Sequence, residues 1–322
     1  MCGRGYARLM KHDKPLLGIT LMLGFCIVAP LADAVAKLLG GKVPLAELVL
    51  VRFGVQALVL IPIMVLTGRS FRVRSKVFWI ILLRTLMHIL GIGMMFTALL
   101  SLPLADAVAI AFIMPFLMLL LGHYVLGEEV GWRRMIACAV GFIGTLLVVQ
   151  PAFQNVGWPA LLPLGVALNF SLFMLTTRQI SRDIDAVSLQ AISGSIAVLV
   201  IGVMLLLLPG QRLTNLAGDS LDPSTWGLLL TIGLLGTLAH LLMTWSLRYA
   251  PGATLAPMQY LEIPVATALG FMIFGDFPNP LATVGICVTI AAGLYILMRE
   301  RATSRAQKAA LATAQVSPPP AE

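Results

Sequence analysis

From residue 16 to residue 298 the sequence is a succession of apolar runs of about twenty residues, parted by short polar, Gly- or Pro-containing breaks. A helix needs roughly 17–25 such residues to cross a bilayer. Within the hydrocarbon each backbone N–H and C=O must be satisfied inside the protein, so runs of this kind form helices. Composition agrees: 59% of the residues are hydrophobic and only 11% charged, where a soluble domain carries about a quarter. The expected fold class is an all-α integral membrane protein.

Ten spans are expected, near 16–39, 44–66, 77–100, 103–125, 133–150, 157–177, 186–208, 226–247, 252–275 and 280–298. Lys and Arg in alternate connections set the orientation. One side collects seventeen, from Arg4 and Arg8 through Arg133 and Arg134 to Lys308, while the other holds Lys37, Lys42 and Arg212. That split predicts a multi-pass protein of the cytoplasmic (inner) membrane with both termini in the cytoplasm, 1–15 and a disordered 299–322. The charge of +8 is spread through short loops and termini with no aromatic-interleaved basic region, which argues against a nucleic-acid partner. Cys2, Cys26, Cys138 and Cys287 have no metal or disulfide spacing, and no pattern calls for a cofactor or metal.

The chain repeats itself. With one residue inserted, 96–148 runs parallel to 244–297: Pro103 meets Pro251, Pro115 meets Pro264, Cys138 meets Cys287 and Gly144 meets Gly293. Five spans per unit make the second unit, 157–298, upside down relative to the first, 16–150. Inverted repeats characterise alternating-access transporters, with the substrate held near the midplane between the repeats.

The motifs "LPLADA", "LGEEVGWRR" and "VGFIGTLLVVQP", answered by "LRYAPGATLAPMQYLEIPVATALGFMIFGDFP" and "GLYILMRE", resemble the EamA module of the drug/metabolite transporter superfamily over 16–298. The resemblance implies ten helices in two inverted five-helix repeats and a secondary transporter of small organic metabolites. It also implies a cavity lined by the third, fourth, eighth and ninth spans. The wording "APMQYLEI…FGDFP" is similar to a bacterial branch that includes riboflavin and S-adenosylmethionine uptake proteins. That makes riboflavin the first expected cargo, with S-adenosylmethionine uptake or metabolite export as alternatives.

Ionisable residues within spans are costly and usually face a cavity or a partner. Glu262 is the deepest acid. On a continuous helix Gln259 shares its face, so the two together are expected to bind substrate; a glutamate tying two helices together is the blander reading. Pro257 and Pro264 flank Glu262, and with Pro115 they are expected to kink their helices. His240 either titrates and couples protons to transport or is a satisfied structural histidine, and the sequence leaves both open. His88 and Asn169 are expected on the cavity wall, with Tyr260 and Trp245 stacking on a planar ligand. Arg84 is expected to snorkel to the interface. Arg52 is expected to pair with Asp33 or Glu47 across helices, Asp33 and Lys37 to neutralise each other at i,i+4, and Asp106 to cap its helix. Gly40, Gly41, Gly91, Gly93, Gly141, Gly144 and Gly285 are expected at close helix contacts.

No catalytic residue is expected. A membrane enzyme acting on a lipid-linked substrate is the rival class, but the candidate groups are scattered and lack a nucleophile–base signature. No P-loop GxxxxGK[ST] is present, so a gradient rather than ATP drives transport. Oligomeric state, direction and coupling ion stay open at this stage.

Overall fold

The computed structural model describes residues 14–69, 71, 73–126, 131–207, 221–292, 294–295 and 298. Most of the expected N-terminal segment, "GEEV" of the second motif, most of the longest loop and the 299–322 tail lie outside the described residues.

The described residues hold helices and no strand. In chain order the helices are α1 (Pro15–Leu39), α2 (Leu45–Leu66), α3 (Ser75–Leu99), α4 (Leu104–Ala111), α5 (Met114–Leu126) and α6 (Trp132–Val156). They continue with α7 (Leu162–Ile180), α8 (Ala186–Leu207), α9 (Pro223–Tyr249), α10 (Gly252–Gln259), α11 (Glu262–Leu269) and α12 (Pro280–Ala292). Seven segments are long and apolar enough to cross a membrane, counting α4 and α5 together. Met135–Leu147, Glu262–Phe274 and Pro280–Ala292 are shorter apolar helices. Large apolar side chains point outward, among them Leu58, Leu66, Leu206 and Trp79, as befits helices whose outer solvent is lipid. α6 runs past the expected end at 150 to Val156, where Gly157 (φ 77) stops it.

Two segments are broken in the same way. Pro103 precedes α4 and Pro251 precedes α10, and each of these helices is 8 residues long. α4 gives way to a turn at Phe112–Ile113 and α10 to one at Tyr260–Leu261. Both breaks follow from the next proline. Pro115 and Pro264 have no N–H to return to the carbonyls of Ala111 and Tyr260, so the i→i−4 ladder fails there. Tighter bonds fill the gap: Phe112 N–H donates to Ala109 O at 3.2 Å, and Ile263 N–H to Tyr260 O at 3.3 Å. Pro257, by contrast, lies within α10, and the helix runs through it. The rings of Phe112 and Tyr260, one from each break, pack together with centroids 5.7 Å apart.

Packing follows the same duality. α9 packs on α1 as α3 packs on α7; α9 also packs on α2 as α3 packs on α8; α11 meets α1 as α5 meets α7; and α2 packs on α8. Without a hydrophobic drive between helices in lipid, close contact at small residues holds such a bundle. A Cβ on Gly18 would stand 2.6 Å from that of Ala250, and one on Gly144 would stand 2.7 Å from Gly285 O. Gly91 and Gly141 are equally tight, but Gly41 and Gly93 face open space. Their expected role in close packing is not what they do, and Gly41 instead supplies a positive φ of 77° after α1.

α11 runs into a π-helical turn, Gly270–Phe274, ended by Gly275 in the left-handed region (φ 70). The reversal presents Asp276 to Lys37 at the end of α1, with a carboxylate–ammonium distance of 2.9 Å. Lys37 also donates to Leu102 O at 3.2 Å and lies over the Phe274 ring at 4.7 Å. Lys37 therefore joins the ends of α1 and α11 to the approach to α4. The expected Lys37–Asp33 pair does not form, because the loop acid and a bare carbonyl together satisfy the ammonium better.

Candidate functional site

α1, α2, α3, α4, α5, α7, α9 and α11 enclose a cavity of about 110 Å³. Its polar lining is Asp33, Arg52, His88, Asn169, His240 and Glu262. Phe25 of α1 and Phe170 of α7 form an aromatic wall, stacked at 6.3 Å and 14°.

Each polar group has a local reason for its place. Glu262 opens α11 immediately after the turn at Tyr260–Leu261 and lines the cavity; it is 8% exposed, and its Oε1 makes no hydrogen bond among the described residues. Asn169 Nδ2 donates to Met87 O at 2.7 Å, tying α7 to α3. The bare Gly91 allows it to approach, since a Cβ there would stand 2.6 Å from that nitrogen. The backbone of His240 is fixed by Gln190 Nε2 donating to its carbonyl at 3.1 Å and Thr244 Oγ1 at 2.6 Å. Arg52 lies in the slot left by Gly236, where a Cβ would stand 2.7 Å from its Nε. Its Nε and Nη1 have no hydrogen-bond partner among the described residues.

At the centre the imidazoles of His88 (α3) and His240 (α9) touch, Nε2 to Nε2 at 2.9 Å with ring centroids 4.0 Å apart. Phe53 and Phe173 box the His88 ring, at 5.0 and 4.8 Å.

The structure therefore gathers His88, Asn169, His240 and Glu262, four residues expected on a substrate wall, and adds Asp33 and Arg52. Gln259 is not among the lining residues. The break separates it from Glu262, and its Nε2 donates to Met174 Sδ at 3.1 Å. Tyr260 is fully buried against Phe112 and the bare Gly141, outside the lining. Trp245 packs with Leu60, Met64 and Leu241 in a separate cluster.

The ion pairs also differ from expectation. No carboxylate oxygen comes within 4 Å of Arg52 among the described residues; Asp33 shares its cavity, and Glu47 lines a second, larger one near the start of α2. Arg84 does not snorkel. It is 0% exposed, its Nε donates to Thr177 Oγ1 at 2.7 Å and its Nη1 to Ser193 Oγ at 3.0 Å, and its guanidinium lies 4.3 Å from the Phe173 centroid. Asp106 sits in the first turn of α4 with Pro103 at the cap position, and its side chain makes no cap bond.

The histidine pair was visible in the sequence as a twin. "RTLMHIL" (84–90) and "GTLAHLL" (236–242) share Thr, Leu, His and Leu in register. Phe25 and Phe170 carried no comparable signal, since single aromatics in spans are usually packing or interfacial residues.

The sequence pattern of the EamA-like transporter family matches residues 16–150 and again 157–298. A riboflavin transporter from Rhizobium johnstonii is 27% identical over 300 residues, covering 92% of this chain and 96% of that protein. An S-adenosylmethionine uptake transporter from Rickettsia prowazekii is 23% identical, covering 89% and 94%. One solved crystal structure superimposes with a TM-score of 0.63 at 18% identity, over 89% of this chain and 97% of that one, a likeness of fold alone. With a paired match over nearly the whole chain and a polar cavity at the centre of an apolar helical bundle, the protein belongs to the EamA-like transporter family.

Proposed function

We propose that this transporter is an inner-membrane carrier of ten spans in two inverted five-helix repeats, 16–150 and 157–298, with both termini cytoplasmic. In this reading α4–α5 and α10–α11 are the fourth and ninth spans, and α6 and α12 the fifth and tenth. The matched breaks, and the paired helix contacts described above, support it. The cargo is a small metabolite with a planar ring, riboflavin first, taken up by alternating access.

The observation that carries this reading is the central cavity, where Phe25 and Phe170 offer a stacking wall beside six polar groups. A flat heteroaromatic cargo suits such a wall, and Asn169, Arg52 and Glu262 offer hydrogen bonds to its edge. Pockets for ligands of this size hold about 300–1,000 Å³, so at about 110 Å³ the conformation described is a contracted one. Transport then requires the bundle to open around the cargo. A second reading has its own support: Asp33 and Glu262 place two carboxyl groups on one small cavity, which favours a cationic cargo such as S-adenosylmethionine.

Uptake of labelled riboflavin and of labelled S-adenosylmethionine by cells expressing the chain tests both readings. Accumulation of one, lost in Glu262→Gln, supports that cargo and the cavity. Accumulation of neither removes both cargoes, and wild-type uptake by Glu262→Gln removes Glu262 from the site.

A further inference from the structure

We propose that His88 and His240 form a proton-operated catch: the unprotonated pair holds α3 against α9 and keeps the cavity contracted, and protonation of both rings releases it. This rests on the transporter reading and deepens it by assigning the proton as the ion that the central site binds.

Geometry carries the argument. A contact of 2.9 Å between two Nε2 atoms requires one ring to donate and the other to accept. A neutral pair meets this with one ring as its Nε2–H tautomer and the other as its Nδ1–H tautomer. With both rings protonated, N–H faces N–H and the contact cannot persist. The Nδ1 atoms have no hydrogen-bond partner among the described residues, so none of those residues stabilises an N–H added there.

The surroundings act in the same direction. Arg52 from α2 and Arg84 from α3 already place two cations by the pair; Asp33 from α1 and Glu262 from α11 are the acids on the cavity. α8 contributes the uncharged Gln190, which donates to His240 O, and α7 contributes Asn169 on the same cavity. Protonating both rings adds two further cations beside the two arginines, in a space bordered by four phenylalanine rings. Parting α3 from α9 hydrates the rings and enlarges the cavity in one movement. A ligand shifts a conformational equilibrium only through differential affinity for the two states. Here the difference is the Nε2 contact, present in the contracted state and lost on opening.

The twin stretches mark the same pair: His88 and His240 hold matching places in "RTLMHIL" and "GTLAHLL", and the structure brings the two into contact.

The test is thiol accessibility in the full-length chain. Ala29→Cys, on the cavity wall, is placed in a background without Cys2, Cys26, Cys138 and Cys287, and its labelling by a small maleimide is followed near pH 5.5 and pH 8, either side of imidazole's usual ~6.5. After correction for the reagent's own pH dependence, labelling is expected to be about tenfold faster at the acid pH, within the usual range of such couplings. Adding His88→Gln and His240→Gln together keeps a neutral hydrogen-bonded pair that cannot titrate, and is expected to leave labelling slow at both pH values. The same acid effect in Asp33→Asn and in Glu262→Gln is expected, and places the proton on the imidazoles. Equal labelling at the two pH values, or an acid effect that survives the double glutamine substitution, overturns the catch. Protection of the Ala29→Cys thiol by riboflavin or S-adenosylmethionine tests the cavity reading separately: its absence removes these cargoes from the cavity while a pH effect stands on its own.

Discussion

The two buried arginines show how one architecture is used twice for different ends. Arg52 is the eighth residue of the 22-residue α2, and it lies against Gly236 of α9. Ser193 is the eighth residue of the 22-residue α8, and it accepts from Arg84 of α3. Arg84 and Gly236 also correspond, as the first residues of the twin stretches. Both cations belong to the first half, one on α2 and one on α3, and their second-half counterparts Ser193 and Gly236 are uncharged. Arg84 is held by two hydroxyls and a ring, with no opening to the cavity. Arg52 has the cavity before it and two N–H-bearing nitrogens with no partner among the described residues. One guanidinium is bonded into the fold through Nε and Nη1, with only its Nη2 lacking a partner among the described residues, and the other faces the cavity.

If that contrast is right, the two positions fail differently. Arg84→Met is expected to give the largest effect, about 3 kcal/mol of lost stability for hydrogen bonds from a charged donor left unmade, read as unfolding of the purified protein in detergent. Arg84→Lys is expected to recover little of it, because one ammonium cannot reproduce the forked geometry. Arg52→Met is expected to cost less in unfolding, since two of its guanidinium nitrogens make no hydrogen bond among the described residues that could be lost. Its initial transport rate, however, is expected to fall about 100-fold, a loss of about 2.7 kcal/mol. Equal destabilisation by the two substitutions would erase the distinction.

Gly236→Ala sharpens the same point with a smaller effect. The new Cβ would enter the space that the Arg52 guanidinium occupies, at 2.7 Å from Nε. A flexible side chain can swing away, so the expected stability loss is about 1 kcal/mol. The displaced guanidinium is expected to lower transport about tenfold. If Gly236→Ala transports at the wild-type rate, the slot does not position Arg52.

Helix identity and boundaries were legible because apolar length and proline placement act locally. Pro103, Pro115, Pro251 and Pro264 determine where α4, α5, α10 and α11 start and stop through their own missing N–H groups, without reference to distant chain. Side-chain direction was less accessible. Gln259 and Glu262 were assigned one face on the assumption of an unbroken helix, and the break that Pro264 imposes turned them apart. Arg84 was assigned to the interface because its partners, Thr177 and Ser193, lie 93 and 109 residues away. Ion-pair partners failed for the same reason. Spacing along one helix favoured Asp33 for Lys37, whereas the positive φ at Gly275 delivered Asp276. The chain's most specific cue about its own centre was the repeated Thr-Leu-x-His-x-Leu, which gains meaning only once the two halves are superposed.

The two ion pairs at opposite ends of the bundle extend the comparison to its smallest expected effects. Lys37 and Asp276 are 19% and 35% exposed, and Arg69 and Asp185 are both 36% exposed. Exposed pairs contribute about 0–1 kcal/mol, yet Asp185 has a second task. Its Oδ1 accepts from the backbone N–H groups of Val187 and Ser188, both at 3.1 Å, capping α8. Burial alone would raise its carboxyl, but the Ser188 bonds and the Arg69 guanidinium outweigh that and hold it below the ordinary 3.8. The stabilisation this brings is therefore present above about pH 4 and fades as pH falls through the lowered value. Asp185→Ala is expected to cost about 1 kcal/mol, as for a lost N-cap, and to flatten the acid limb of a stability–pH curve. Asp276→Asn is expected to cost less, because Lys37 keeps its bond to Leu102 O. If Asp276→Asn proves the more damaging of the two, Lys37 depends on the carboxylate rather than the carbonyl, and the closure of that end of the bundle is electrostatic.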